Sequence, residues 1–254
     1  MNAFYEPDGA SFLPTVLTRG PWDLRFQHGG PPSALLAGQM VRAAPDFALA
    51  RLAVELLRPV PIAPLQIQLD PGLPGRTVRR LTATLLHDGR PLLTARGLFI
   101  LRQPRDLPPG PPLPPWPDPA ALPLHVFTFV QHEEGYHQAI ELRRVFGLWG
   151  QTPIGFWGRP RVPLIAGSAL LPEEAVVTLA DAQSGMGPPL DPLRYSFVNP
   201  DLTVYLERPP VGDWVGFEVR SGAGPLGAGL SESLLRDEAG LLGRSAQSLV
   251  IAER

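Results

Sequence analysis

Asp181 sits where a carboxylate is poorly accommodated. In the run Leu179-Ala180-Asp181-Ala182-Gln183-Ser184-Gly185 it falls in the last turn of an expected helix, among small and apolar neighbours. The negative end of a helix dipole disfavours a carboxylate by a few tenths to ~1 kcal/mol, and partial burial acts in the same direction. A carboxylate so placed takes up a proton readily, which is what a general base must do. A solvated Asp bonding its own backbone in a helix-ending turn fits the same residues. The second place is Phe26-Gln27-His28-Gly29-Gly30-Pro31-Pro32. Backbone N–H groups at a helix start carry partial positive charge and can hold an oxyanion or a thioester carbonyl. Gly29 and Gly30 also fit plain helix-entry geometry. Histidine is the side chain suited to proton transfer near neutral pH, and His28 also fits an ordinary hydrogen-bonding role.

Composition removes other chemistries. The chain has no Cys, so disulfides, thiolate zinc sites, iron–sulfur clusters and a thiol nucleophile are out. All 22 basic residues are Arg. Without Lys there is no Schiff base and no phosphate-loop lysine. The Arg bias, with abundant Pro, Gly and Ala, reads as a GC-rich genome. A net charge of −2 gives no electrostatic reason to expect nucleic acid or a membrane surface. The N-terminus lacks the apolar stretch of a signal peptide, and no apolar run approaches the ~18 residues that span a bilayer. Ser184-Gly185 and Ser221-Gly222 lack the frame of a nucleophile elbow. Gly222-Ala223-Gly224 lies in an expected hairpin and is no dinucleotide fingerprint. His132, Glu133, Glu134 and His137 evoke a metal site, but on an alternating segment the two rings would face opposite ways, so no metal is expected.

The elements that must position these residues fall into two sets. Between Pro104 and Pro123 about half the residues are proline, which predicts an extended connector rather than helix or central strand. This sets boundaries at 1–103, 104–123 and 124–254. Before the connector, a helix is expected from Gly29-Gly30-Pro31-Pro32 to about Ala44, ended by Pro45. Its small residues Ala34, Ala37, Gly38 and Ala43 suit close packing on a sheet. Strands follow near 51–58, 65–70, 77–87 and 91–102; Leu65–Asp70 alternates strictly and Asp88-Gly89 signals a hairpin. After the connector, alternating runs at Phe127–Val130, Gln138–Phe146 and Gly155–Pro163 precede a helix from Pro172 to about Ser184. Glu173 and Glu174 suit its first turn and Gly185 is expected to stop it. Strands follow near 201–208, 214–222, 226–236 and 241–252.

The two sets are related. Arg51-Leu52-Ala53-Val54-Glu55-Leu56-Leu57-Arg58-Pro59 reads beside Asp201-Leu202-Thr203-Val204-Tyr205-Leu206-Glu207-Arg208-Pro209, 150 residues on. Leu85-Leu86-His87-Asp88 matches Leu234-Leu235-Arg236-Asp237, one residue closer. After a two-residue insertion, Ala95–Ile100 matches Ala246–Ile251. Three blocks in one order indicate an internal duplication. In this alignment the partner of Gln247 is Arg96. The expected architecture is α+β: two tandem units, each a curled antiparallel sheet on a helix.

The Gly-Gly helix opening, the two Arg-Pro strand ends (Arg58-Pro59 and Arg208-Pro209) and the passage from Phe156–Arg161 to Leu179–Gly185 together resemble the double-hotdog acyl-CoA thioesterase family, in particular its bacterial acyl-CoA thioesterase II branch. The resemblance covers nearly the whole chain outside the connector. It implies hydrolysis of acyl-CoA with no cofactor, metal or covalent intermediate, in a cytoplasmic homo-oligomer of fatty acid metabolism. In that family an Asp on the second hotdog helix, a Thr on the next strand and a Gln on the last strand hold a water. The resemblance carries these over to Asp181, to Asn199 or Thr203, and to Gln247; Asn199 in place of Thr is a departure. The first helix has no acid between Pro31 and Pro45, so one active constellation per chain is expected. Two other readings stand beside hydrolysis. One is a non-catalytic acyl-CoA or lipid-binding module. The other is an acyl-thioester dehydratase or hydratase, which generally needs an Asp–His pair; no His neighbours Asp181 in sequence.

Overall fold

The computed structural model describes residues 3–108, 113–127, 130 and 132–254. In chain order the elements are β1 (Tyr5–Asp8), β2 (Ser11–Pro14), α1 (Gly30–Ala43), β3 (Phe47–Leu56), β4 (Leu65–Asp70), β5 (Val78–His87) and β6 (Arg90–Leu101). After the proline-rich segment come α2 (Tyr136–Ala139), β7 (Ile140–Phe146), β8 (Ile154–Pro160), α3 (Pro172–Ala180), α4 (Gln183–Met186), β9 (Tyr195–Val198), β10 (Asp201–Leu206), β11 (Val215–Ala223), β12 (Ala228–Asp237) and β13 (Gly240–Glu253). The class is α+β. Every strand pairing is antiparallel, in the order β1-β2-β4-β5-β6-β3-β10-β13-β12-β11-β8-β7, with β9 also on β13.

The order β4-β5-β6-β3 is mirrored by β11-β12-β13-β10, and the mirror line lies between β3 and β10. There Ala53 stands opposite Thr203, with Arg51 opposite Tyr205 and Glu55 opposite Asp201. Residues 150 apart are thus exchanged across a local two-fold centred on Ala53 and Thr203. The same spacing holds through the hairpins. Leu85 faces Leu93 as Leu235 faces Gly243, and each hairpin has its bulge at the same step, after Leu85 and after Leu235. This corrects the sequence alignment: there is no closer spacing and no insertion. Gln247 corresponds to Gly97, and Arg96 to Ala246. Matching letters had paired alanines, whereas the ladder preserves hydrogen-bond register and lets side chains drift. Asp88 and Gly89 both adopt positive φ, as a two-residue hairpin loop requires.

Two helices cover the inner face. α1 starts on a Gly with Pro31 and Pro32 in its first turn and ends at Ala43, just before Pro45. Its Ala34, Leu35, Leu36, Ala37 and Met40 join the core with Leu52, Val54, Leu81, Leu85 and Phe99. α3 runs antiparallel beside it. A Cβ on Gly38 would overlap the Glu174 carboxylate, and one on Gly30 would overlap the Thr178 carbonyl oxygen. Small residues therefore set the helix separation. Arg42 Nη1 bonds Glu174 Oε1 at 2.7 Å, and Glu174 Oε2 accepts from Leu171 N at 2.9 Å. Burial still pushes the Glu174 carboxyl above its usual range.

α3 stops at Ala180, earlier than expected, and Gly185 lies inside α4 rather than ending the helix. Just past the interruption, the Gln183 amide donates to the Ser231 carbonyl at 2.8 Å and accepts from the Ser245 hydroxyl at 2.7 Å. These bonds tie the chain to the sheet there. The sequence reading also passed over β1, β2 and β9. Its run at Phe127–Val130 includes residues outside the described set. The proline-rich segment, where described, is a strap on the sheet: Trp116 stacks edge-on against Trp157 and Phe146, the Arg236 guanidinium lies 4.1 Å from the Trp116 ring centre, and Trp157 Nε1 donates to the Pro117 carbonyl.

Candidate active site

The antiparallel helices bring the C-terminal end of α3 to the N-terminal end of α1, and Asp181 lies at that junction. It is 4% exposed. A Cβ at Gly29 would stand 2.8 Å from Asp181 Oδ2, so glycine is what lets the two backbones meet. The negative end of one helix dipole is offset by the positive end of another, a pairing that a sequence-only argument from α3 could not include.

Three side chains hold Asp181, two at its carboxylate and one at its backbone. His28 Nδ1 lies 3.0 Å from Asp181 Oδ2. Asn199 Nδ2 donates to Oδ1 at 2.7 Å. Gln247, on the inner face of β13 and 1% exposed, donates from Nε2 to the Asp181 backbone carbonyl at 3.3 Å. Its Oε1 is buried without a hydrogen-bond partner among the described residues. Gln247 thus reaches Asp181 from beneath, through the backbone. Thr203 is not part of the cluster. On β10 the buried residues are Leu202, Val204 and Leu206; by strand alternation Thr203 points to the other face, between Ala53 and Ala246. Of the two candidates for the middle position, Asn199 is the one whose side chain reaches Asp181.

His28 is the partner that sequence proximity missed, since 153 positions separate it from Asp181. Bonds that fasten its loop include His28 N to Thr18 O at 2.7 Å, Gln27 N to Val60 O at 2.8 Å, Tyr5 Oη to Gln27 Oε1 at 2.6 Å and Gln27 Nε2 to Pro61 O at 2.7 Å. The imidazole stacks on Tyr136 with ring centres 3.8 Å apart and planes 6° from parallel. Tyr136 Oη donates to the Thr178 carbonyl at 2.7 Å; burial first and the Asp181 charge second keep this phenol protonated, its pKa raised well above the ordinary value. His28 Nδ1 is shared. It lies 3.1 Å from Gly30 N–H as acceptor and 3.0 Å from Asp181 as donor. A proton on Nδ1 goes to the carboxylate and frees the Gly30 N–H; a lone pair there engages Gly30 instead.

The α1 N-terminus is a thinner oxyanion site than expected. Pro31 and Pro32 have no N–H, and Ser33 N–H is spent on the Gly29 carbonyl at 3.2 Å. Gly29 and Gly30 are the donors left, and His28 controls the second. The rings of His132 and His137, expected to face opposite ways, have centres 5.2 Å apart. Residues 136–139 form a helical turn, not a strand, so alternation does not apply.

Asp181, His28, Gly29, Asn199 and Tyr136 border one cleft of about 510 Å³. Trp22, Phe26, Leu56, Val60, Phe197 and Val250 supply apolar wall, with Arg19 and Arg58 also on its border. An apolar cleft with a few convergent polar groups is the usual form of a small-molecule site.

Residues 18–100 match the family model of the acyl-CoA thioesterase N-terminal domain, and residues 104–251 match that of the acyl-CoA thioesterase C-terminal domain. No curated protein matches the chain. Among solved structures, the tesB protein of Mycobacterium avium subs paratuberculosis aligns at 17% identity over 98% of this chain and 95% of its own, with a TM-score of 0.71. The acyl-CoA thioesterase II TesB2 of Mycobacterium marinum aligns at 16% identity over 97% and 94%, with a TM-score of 0.66. A hot dog fold protein of Alicyclobacillus acidocaldarius aligns at 18% identity over 98% and 95%, with a TM-score of 0.74. At these identities the likeness establishes a hotdog fold.

Proposed function

Because the chain belongs to the acyl-CoA thioesterase family and is a thioester hydrolase, we propose that it cleaves acyl-CoA to free acid and CoA by Asp181-assisted attack of water. The observation that carries this is a buried carboxylate at the border of a largely apolar cleft, oriented by His28 and Asn199. The acyl chain lies along the apolar wall. Asp181 takes a proton from water as its oxygen bonds to the thioester carbon. The developing oxyanion is held by the Gly29 and Gly30 N–H groups. On collapse the C–S bond breaks and the proton passes to the leaving thiolate. Gln247 Oε1, an orphaned buried acceptor, is a group that a bound water would satisfy. We further propose that residues 1–103 and 124–254 are tandem hotdog units joined by 104–123, a reading supported by the local two-fold at Ala53 and Thr203.

The His28–Asp181 contact favours a second reading, hydration or dehydration of an acyl thioester by an Asp–His pair. An acyl-CoA panel separates them. Thiol release carries the first reading. Loss of enoyl absorbance without thiol release carries the second. Binding with neither reaction would overturn both and leave a binding module.

A further inference from the structure

The other end of α1 borders a second cleft, of about 750 Å³, lined by Arg76, Arg79, Arg102, Phe47, Asp46 and the 74–75 turn. Three guanidinium groups face one carboxylate there, in a protein whose net charge is −2. Arg76, Arg79 and Arg102 form no ion pair among the described residues, whereas Arg25, Arg42, Arg143, Arg159, Arg208 and Arg220 each hold a carboxylate. Phe47 positions two of them. The Arg79 guanidinium lies 4.4 Å from its ring centre, and Arg102 Nε donates to its carbonyl at 3.2 Å, which leaves the terminal nitrogens of Arg102 unspent. Arg79 Nε is buried with no hydrogen-bond partner among the described residues.

The internal repeat shows that this charge is specific to one half. Phe47 corresponds to Phe197, which lines the Asp181 cleft, so the two clefts border equivalent strand ends. At the positions 150 residues after Arg76, Arg79 and Arg102 stand Leu226, Gly229 and Ala252. Conversely, Gly97 stands where the second half has Gln247. The three arginines of the basic cleft thus have no charged counterpart at the matching positions of the second half. A planar guanidinium fork held over an aromatic ring, beside a second fixed by a backbone carbonyl, matches the oxygens of a phosphate group.

We propose that this cleft binds a phosphate-bearing small molecule, at a site separate from the Asp181 cleft. The two clefts lie at opposite ends of a 14-residue helix, about 21 Å at 1.5 Å per residue. Two sources share this chemistry, the nucleotide portion of a CoA ester and a free phosphate or pyrophosphate. Calorimetric titration with adenosine 3′,5′-bisphosphate, pyrophosphate and inorganic phosphate distinguishes them. Binding of the nucleotide alone assigns the first source, and equal binding of pyrophosphate the second. Affinity is expected to fall at least about 10-fold in Arg79→Gln/Arg102→Gln and to weaken with added salt, and to be unchanged in Asp181→Asn. Arg76→Gln removes an exposed side chain that makes no hydrogen bond or ion pair, so a loss of affinity there is not a folding defect. Absence of binding for every probe, affinity unaltered in all the Arg variants, or an equal loss in Asp181→Asn would overturn the proposal.

Discussion

At the scale of single residues, Asp181 is held by groups drawn from three distant segments, and each fixes a different part of it. Asn199 and His28 take one carboxylate oxygen each, and Gln247 takes the backbone. Asp181→Asn keeps the shape, and its amide can still face the Nδ1 lone pair of His28. Thioester hydrolysis should nevertheless fall about 100-fold or more, the usual loss on removing a general base, with an unaltered circular dichroism spectrum. Gln247→Ala should cost less, because it moves no proton. Arg96→Ala, on the exposed face of β6, should leave the rate unchanged; full activity in Asp181→Asn would refute the mechanism. His125 offers a separate test. Burial first, and the Arg144 charge second, lower its pKa from 6.5 to about 4. The unfolded chain therefore takes a proton near pH 6.5 that the folded chain refuses until about pH 4. The associated stability is whole above pH 6.5 and drains away as pH falls to about 4. Thermal unfolding of His125→Gln should show a smaller loss of Tm over that window than the parent protein.

At the scale of elements, the site depends on how closely α1 and α3 pack. Glycine at 29, 30 and 38 and proline at 31 and 32 decide both the separation of the helices and the supply of N–H donors. Gly38→Ala would drive a methyl group into the Glu174 carboxylate that Arg42 holds. Overpacking of this kind costs about 1–3 kcal/mol, so Tm should drop by several degrees in calorimetry even though alanine favours helix. An unchanged or raised Tm would mean that the helices separate freely. The glycines and the helix start were legible in the sequence, because proline and glycine act locally. The break at Asp181 was not; the bonds that tie the chain to the sheet just past it come from Ser231 and Ser245, 48 and 62 residues beyond Gln183.

For the whole molecule, pairing of β3 with β10 joins the two halves in one chain and leaves the outer sheet face partly apolar. Ile100, Tyr205 and Leu230 are among its exposed residues, and a patch of this kind favours association. A dimer or larger assembly is expected in sedimentation equilibrium at micromolar concentration. A single 27.5 kDa species would refute that. Among the described residues no helix is long and apolar enough to cross a membrane.

The sequence by itself determined what depends on neighbours along the chain. Proline and glycine punctuation marked both main helices, two-residue alternation marked most strands, and repetition at 150 residues related the halves. Composition removed thiol and lysine chemistry. Asp181 entered through its place at a helix end as well as through a family resemblance, Gln247 through the resemblance alone, and the fold brings both to one junction. Tertiary structure alone decided the rest. It put the Asn199 side chain and not that of Thr203 beside Asp181, because alternation on β10 turns Thr203 to the outer face. It replaced Arg96 by Gly97 as the counterpart of Gln247, because register is set by hydrogen bonds between strands and not by side-chain identity. It brought His28 to Asp181 across 153 residues, because antiparallel helices place the start of one beside the end of the other. Such contacts follow from packing through space, which local pattern does not encode.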